Sequence, residues 1–217
     1  MRNSSTTRDT LLSAAAAEII QNGYAGASMA AIAARLDMTK GAFAYHFPAK
    51  SDLAVALSQR LFDALLRTEA RVSANVPTGG LRALVAYVLE VGRECMNTEN
   101  AAGVVLALDS HLKELDLPRA VPLLEGHVRA RLEQAVAAGE VEIEPNIDTA
   151  VRYVTLQVIG SFIYLHLQPE HQTPDLHFLR MLVTALGGHD ARGVIDDVLQ
   201  AQEAGLVAPT PVFGIEE

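Results

Sequence analysis

One short segment near the N-terminus constrains the fold of this chain more than any other part of it. The segment spans residues 28–50 and has the sequence SMAAIAARLDMTKGAFAYHFPAK. Ser28 can cap a helix whose apolar residues recur at the i, i+3, i+4, i+7 spacing of a buried stripe. Residues 37–39 then form a short connection, and Thr39 can cap a second helix that continues through Tyr45. Because helices this short are unstable alone, the segment predicts a helix-turn-helix unit held by tertiary packing.

The remainder of the chain also has helical periodicity. A first helix is predicted over residues 7–22, with Gly23 just past its end. A long helix is predicted over residues 51–74, followed by a Pro- and Gly-containing break at residues 76–80. Further helices are predicted over residues 81–96, 101–114, 118–138, 147–167, 176–186 and 193–204. Since no stretch has strand alternation bounded by hairpin turns, we expect an all-α fold.

Composition and cysteine content limit the classes of protein that this chain can belong to. The chain has 217 residues, half of them apolar, which is enough for a substantial core. Its single cysteine, Cys95, excludes an internal disulfide framework and a cysteine-rich zinc site. The N-terminus has no apolar h-region, and the longest uncharged run, residues 153–169, is short and polar for a membrane span. We therefore expect a cytoplasmic protein without a membrane anchor.

Charge is distributed unevenly along the chain. The net charge is -9, yet residues 1–52 carry five basic and four acidic groups, so the excess of acid lies in the rest of the chain. Phosphate would repel such an acidic part, which should therefore face away from a nucleic acid while the near-neutral N-terminal part binds it. The asymmetry alone is also compatible with ordinary surface variation.

The predicted helix over residues 147–167 is apolar on nearly every side. A helix exposed along one face would have a polar stripe there, so this one needs cover on two sides. A homodimer supplies the second cover, and the predicted helix over residues 176–186 offers another apolar stripe for a four-helix interface. The alternative is a central helix in a monomer.

Four short stretches between the first helix and residue 55 form a specific pattern: Gly23-Tyr24, residues 28–33, the run TKGAFAYHF from Thr39 to Phe47, and Lys50-Ser51-Asp52-Leu53. This pattern resembles that of the TetR family of transcriptional repressors. It implies an N-terminal domain over residues 1–50 that binds operator DNA. It also implies a helical effector-binding and dimerisation domain over residues 51–208, to which we add a flexible tail over residues 209–217.

The same resemblance assigns candidate DNA-binding residues, and each has a physical reason to be one. Small residues at the start of the second helix let its backbone approach the major groove, and the lysines supply charge for bases or phosphates. Hydroxyl and imidazole groups at the ends of these helices can bind the DNA backbone. The candidates are Ser28, Thr39, Lys40, Gly41, Ala42, Tyr45, His46 and Lys50. Phe43 and Phe47 are expected in the core instead.

A small-molecule effector is implied by the family resemblance, and one stripe of side chains suggests where it binds. Polar and aromatic residues recur on one face of the helix over residues 147–167, and buried polar groups need partners. These candidates are Tyr153, Gln157, Ser161 and Tyr164. The opposite wall of such a site would comprise Tyr87, Val91 and Cys95, with Asp109 or His111 at its rim. Plain core packing is the alternative for both sets.

The proline-bearing segment after Leu115 and the style of the central helix resemble those of the receptors for actinobacterial butyrolactone-type autoinducers. That subgroup usually carries a tryptophan in its pocket, and this chain has none. The effector is therefore either a butyrolactone, furan or butenolide signal, or another lipophilic ligand of an efflux or catabolic regulator.

Other classes of function are weaker interpretations of the sequence. Asp109, Ser110 and His111 are triad residue types, but neighbours on a helix point in different directions. His166, His171 and His177 lack the helical spacing of metal ligands, so no metal, cofactor or catalytic residue is predicted. A protein-interaction scaffold would explain the apolar helix but not the pattern from Thr39 to Lys50.

Overall fold

The computed structural model describes residues 2–76, 80–144, 146–167 and 176–205, without the side chains of residues 2–6, 40, 165–167 and 176–177. These residues form ten α-helices and one 3-10 turn, and the prediction of an all-α fold is confirmed. The elements in chain order are α1 (Arg2–Gly26), α2 (Met29–Ala34), α3 (Lys40–His46), α4 (Lys50–Asn75), α5 (Gly80–Cys95), α6 (Thr98–Leu108), the 3-10 turn (Ser110–Leu112), α7 (Ala120–Ala137), α8 (Ile147–Leu167), α9 (Leu176–Ala185) and α10 (Ala191–Glu203).

Packing divides the chain into two compact units. The first unit comprises Met1–Leu65 and Glu94–Ala120, and the second comprises Leu66–Arg93 and Val121–Glu217. The sequence-based boundary at residue 50 separates functional domains and stays a prediction. The break predicted at residues 76–80 falls mostly outside the described residues, as does the predicted tail over residues 209–217.

The core of the first unit joins α1, α2, α3, the start of α4 and α6. It is built from side chains that are almost fully buried: Leu11, Leu12, Ala15, Ile19, Ile32, Phe43, Phe47, Leu53, Leu57, Ala102 and Leu106. Gly103 brings α6 close to α4, because a Cβ at this position would lie 2.7 Å from Leu61 Cβ and 2.9 Å from the Leu57 carbonyl oxygen. The two short helices are therefore stabilised by burial against three longer ones.

The second unit buries charged groups as well as apolar ones. Arg131 is 3 % exposed, and its Nη1 donates to Glu69 Oε2 over 2.6 Å. Glu90 is 1 % exposed and accepts hydrogen bonds from Arg71 and Arg93. Because each of these buried charges is paired, their desolvation cost is offset.

The sequence prediction was wrong about the bounds of α6. Asn97 Oδ1 accepts from the backbone N–H groups of Glu99 and Asn100, which starts the helix before residue 101. Asp109 then leaves the helical conformation and accepts from the His111 N–H at 2.9 Å, so a separate 3-10 turn follows. These side-chain caps therefore make the helix both start and end at earlier residues than its apolar periodicity predicted.

The bounds of α1 also differ from the prediction. The helix begins at Arg2 rather than near residue 7. Gly23 has φ 67°, which interrupts the helical backbone where the sequence predicted an end. The helix resumes after this kink and ends at Gly26.

One side of α8 is buried and the opposite side is exposed and apolar. Val151 and Val154 lie in the core of the second unit, whereas Leu156 is 61 % exposed and Ile163 is 43 % exposed. The predicted stripe on α9 lies instead inside its own unit, with Leu179, Leu182, Val183 and Leu186 buried. Met181 of that helix is apolar and exposed, at 71 %. No helix among the described residues is long and apolar enough to cross a bilayer.

Candidate nucleic-acid interface

The start of each short helix is capped by its own hydroxyl side chain, as predicted. Ser28 Oγ accepts a hydrogen bond from the Ala31 N–H at 3.0 Å, and Thr39 Oγ1 accepts from the Ala42 N–H at 3.2 Å. Between the helices, Asp37 adopts φ 52°, a conformation uncommon for any residue other than glycine. Together the caps and this left-handed residue produce the sharp turn between α2 and α3.

The inner face of this unit is aromatic. Phe43 and Phe47 are fully buried, with ring centroids 6.1 Å apart, which confirms their expected place in the core. Ile32 on α2 is buried in the same cluster. This packing determines which side of α3 faces outward.

The outward face of α3 carries small residues and one large aromatic. Gly41 and Ala42 are exposed, and Tyr45 is 85 % exposed. The Tyr45 ring lies edge-on to His46, with centroids 5.2 Å apart. A single exposed aromatic residue is ordinary on a protein surface, so the place of Tyr45 on the outward face of α3 is what makes it a candidate contact. The side chain of Lys40 lies outside the described part of the structure.

Lys50 has intramolecular contacts that the sequence did not reveal. Its Nζ donates to the Ala25 carbonyl oxygen at 3.2 Å and lies 4.4 Å from the centroid of the Tyr24 ring. These contacts link the start of α4 to the end of α1. The residue is half-buried, and its ammonium group still has donors for a phosphate.

Charge pairs neutralise the acidic side chains of α1. Arg35 Nε donates to Glu18 Oε2 at 2.9 Å. Arg60 pairs with Asp9, and its Nε lies 3.3 Å from Glu99 Oε2. The carboxylates of this helix are therefore compensated by arginines.

The effector candidates of α8 lie at the border between its buried and exposed sides. Tyr153, Gln157 and Ser161 are half-buried, and Tyr164 is 53 % exposed. Their spacing places them on one face, as the sequence predicted. Their assignment to a ligand stays a prediction.

The candidates of the opposite wall fall into both units. In the second unit, Tyr87 and Val91 are buried, and the Tyr87 hydroxyl lies 2.8 Å from His127 Nδ1. In the first unit, Cys95 is buried, and burial and then Glu94 raise the pKa of its thiol to about 12. Asp109 caps the 3-10 turn. Their role as a wall also stays a prediction.

Tyr87 belongs to a polar cluster with Glu69, His127 and Arg131. The Arg131 guanidinium lies 4.5 Å from the Tyr87 ring centroid, and His127 Nδ1 lies 3.7 Å from Glu69 Oε2. Burial lowers the pKa of His127, Glu69 opposes this shift, and Arg131 adds to it. Burial opposes the shift at Glu69, whose pKa is lowered because Arg131 and Ser73 donate hydrogen bonds to it and Arg131 adds its charge.

The lowered pKa of His127 predicts a dependence of stability on pH. As the pH falls below the ordinary histidine value of 6.5, the unfolded chain takes up a proton before the folded chain does. The contribution of neutral His127 to the free energy of unfolding is therefore present above about pH 6.5 and is lost at lower pH. We expect His127→Gln to reduce the fall in the urea midpoint between about pH 7.5 and pH 5.5. The exposed His111→Gln is the control, and an equal fall for both variants and the unmodified chain would contradict the assignment.

Catalytic and metal chemistry have little support in the described residues. His111 Nδ1 does lie 3.1 Å from Asp109 Oδ1, because the 3-10 turn brings them together where a regular helix would not. The His111 side chain is 93 % exposed, so this pair is an ordinary surface contact. The side chains of His166, His171 and His177 lie outside the described part.

Comparisons with known proteins agree with this geometry. Residues 11–57 match the N-terminal family model of bacterial regulatory proteins of the tetR family. That stretch includes α2, α3 and all the candidate DNA-binding residues. This match agrees with the predicted resemblance to that family, whose model describes regulatory proteins. No curated protein matches the sequence.

Solved structures show that the chain has the fold of known regulators. A gamma-butyrolactone receptor described as ArpA-like has a TM-score of 0.73 at 20 % identity, over 92 % of this chain and 99 % of that one. CprB from Streptomyces coelicolor, in complex with its biological operator sequence, has a TM-score of 0.73 at 23 % identity over 97 % and 100 %. TylP, a tetR regulator from Streptomyces fradiae, has a TM-score of 0.58 at 22 % identity over 94 % and 97 %.

Proposed function

Since residues 11–57 match the N-terminal family model of bacterial regulatory proteins of the tetR family, we propose that the chain is a transcriptional repressor of this family. In this proposal the chain binds a palindromic operator as a homodimer and is released by a small-molecule effector. The observation that carries the proposal is the two-sided α3, in which Phe43 is buried while Gly41, Ala42 and Tyr45 are exposed on the outward side.

The outward face of α3 suits the major groove. Gly41 and Ala42 allow the backbone to approach the base edges, and Lys40 and Thr39 are the side chains that reach bases. Tyr45, His46, Ser28 and Lys50 bind phosphates and set the register. Two base-reaching residues are too few to specify a site, so a second copy of α3 is part of the mechanism.

Gly41 offers a test of groove binding that is separate from folding. A Cβ at this position meets no protein atom within 4 Å. We therefore expect Gly41→Leu to leave the thermal midpoint unchanged or slightly raised, since leucine favours a helix more than glycine does. Operator affinity should fall at least about tenfold, or ~1.4 kcal/mol, because the new side chain occupies the space of a base edge. Fluorescence anisotropy with labelled operator measures it.

Gly92→Leu is the matched control for this substitution. Gly92 lies within α5, is exposed, and likewise has no atom within 4 Å of an added Cβ. It should bind the operator as the unmodified chain does. Equal affinities for the two variants would contradict the docking of α3.

The homodimer is supported by the exposed side of α8. Leu156, Gly160 and Ile163 share one face, at spacings of four and three residues. Exposed apolar area of this kind marks an interaction surface, and the glycine allows close approach of a second helix. Met181 of α9 is also exposed, and we assign it to the same surface. We assign this surface, called the α8–α9 face, to contact with the same face of a second copy.

The effector is proposed to bind the helical body through the half-buried stripe of α8. Tyr153, Gln157 and Ser161 offer hydrogen bonds beside apolar neighbours, which suits a small ligand with carbonyl or hydroxyl oxygens. A butyrolactone, furan or butenolide signal is the first candidate, since two similar structures are described as gamma-butyrolactone receptors. A lipophilic ligand of an efflux or catabolic system is the alternative.

Selection of bound DNA from a random library tests the core of the proposal. We expect recovery of one short sequence with two inverted half-sites, bound less tightly as salt increases. A single half-site would contradict the dimer, and absence of any selected sequence would contradict DNA reading. A scaffold or an enzyme would give the latter result.

Ligand screening tests the effector class once the operator is known. Lactones, furans and butenolides are added to the complex, and release is followed by anisotropy together with thermal shift of the free protein. Release by one of these classes supports the first candidate. Release only by unrelated lipophilic compounds supports the alternative.

A further inference from the structure

Arg8 lies against Phe47, the residue that directly follows α3. Its guanidinium carbon is 4.7 Å from the centroid of the Phe47 ring. Phe47 is the C-cap of α3 and directly follows Tyr45 and His46 in the chain. A cation over an aromatic ring at this distance is attracted by the ring quadrupole. The contact therefore holds a positive charge at the C-terminal end of α3.

The sequence of α1 accounts for this placement. Arg8 precedes Leu11, Leu12 and Ala15 at the i, i+3, i+4, i+7 spacing. Those three residues are fully buried in the core of the first unit. Arg8 thus continues the buried stripe of α1 by one turn, and its long side chain can follow the core edge to Phe47 while its charge stays in solvent.

Arg8 differs from Arg35 and Arg60 because no acidic group among the described residues forms an ion pair with it. Among the described residues, Arg8 is exposed and has neither a hydrogen bond nor an ion pair. The two carboxylates of α1 are used elsewhere, since Asp9 pairs with Arg60 and Glu18 pairs with Arg35. The positive charge of Arg8 is therefore available to an anion from outside the protein.

We propose that Arg8 binds a phosphate of the DNA backbone beside the contacts made by α3. The contact with Phe47 leaves Arg8 exposed, so N–H groups of its guanidinium can donate two parallel hydrogen bonds to phosphate oxygens. The contact would fix the register of α3 without reading a base. This inference rests on the proposed function, and it adds a DNA-binding residue outside the helix-turn-helix unit.

The test measures operator affinity over a range of salt concentrations for the full-length protein. Each phosphate contact contributes about 0.9 to the slope of log affinity against log salt, so Arg8→Ala should reduce the slope by ~1.8 for a dimer. Affinity at about 0.15 M salt should fall about tenfold, equally for strong and weak operators. Arg8→Lys keeps the charge and should retain most of the slope. Arg119→Ala, an exposed arginine of the same unit, is the control.

Ethylation interference identifies the contact directly. The unmodified protein should lose binding when one particular phosphate in each half-site is ethylated, and Arg8→Ala should become insensitive to that ethylation. If Arg8 has only a structural role, Arg8→Ala can lower the thermal midpoint but leaves the salt slope and the interference pattern unchanged. That result would overturn the inference. Absence of operator binding by the unmodified protein would overturn the proposed function itself.

Discussion

Leu156→Glu is expected to convert the proposed homodimer into a monomer and to weaken operator binding by about 100-fold or more. Leu156 is 61 % exposed, so the protomer can accept a carboxylate there without loss of its core. In the dimer the α8–α9 face would bury two facing carboxylates, and the desolvation cost would exceed the association energy. A monomer has only one α3 for two half-sites and loses the gain from linked binding.

Analytical ultracentrifugation and anisotropy with the selected operator measure the two effects. The matched control is Val136→Glu on α7, in the same unit and 45 % exposed. It should remain dimeric and bind normally. A Leu156→Glu protein that stays dimeric would show that the α8–α9 face is not the interface.

Gly103→Val is expected to cause a large fall in the thermal midpoint of the protein. The added Cβ would lie 2.7 Å from Leu61 Cβ and 2.9 Å from the Leu57 carbonyl oxygen. The second of these is a backbone atom inside α4 and cannot move without bending that helix. Overpacking of this kind costs about 3 kcal/mol, which corresponds to a fall of roughly 10 °C for a chain of this size.

Gly126→Val is the matched control for the packing at Gly103. Gly126 lies within α7 and an added Cβ there meets nothing within 4 Å. The same change of residue should leave the midpoint unchanged or slightly higher, because valine favours a helix more than glycine does. Differential scanning calorimetry compares the two variants, and an equal midpoint for Gly103→Val and the unmodified chain would refute the close approach of α6 to α4.

Apolar periodicity predicted the helices of this chain because the apolar residues of each helix mark one of its faces. The bounds of α8 match the prediction at both ends, and those of α5, α7 and α9 differ by one or two residues. The prediction failed at α6, where Asn97 and Asp109 cap the backbone at positions that periodicity does not mark. Caps depend on single side chains, so a pattern averaged over several turns misses them.

The tertiary partners of each side chain could not be derived from local pattern. Lys50 contacts Ala25 and Tyr24, and Arg8 contacts Phe47, across separations that no spacing rule covers. Glu90 and Arg131 were overlooked for a related reason, since charged residues are expected at the surface unless a partner compensates them. The pattern identified which residues of the helix-turn-helix unit face outward, because that depends only on neighbours along one helix.

The caps of the two short helices carry no charge, unlike the caps of two other elements in the described residues. Ser28 and Thr39 cap α2 and α3, whereas carboxylates of Asp109 and Asp190 cap the 3-10 turn and α10. Aspartate would cap the short helices equally well. A carboxylate there would, however, repel a polyanion, so we expect Ser28→Asp or Thr39→Asp to keep the cap of its helix and to weaken the proposed binding to operator DNA.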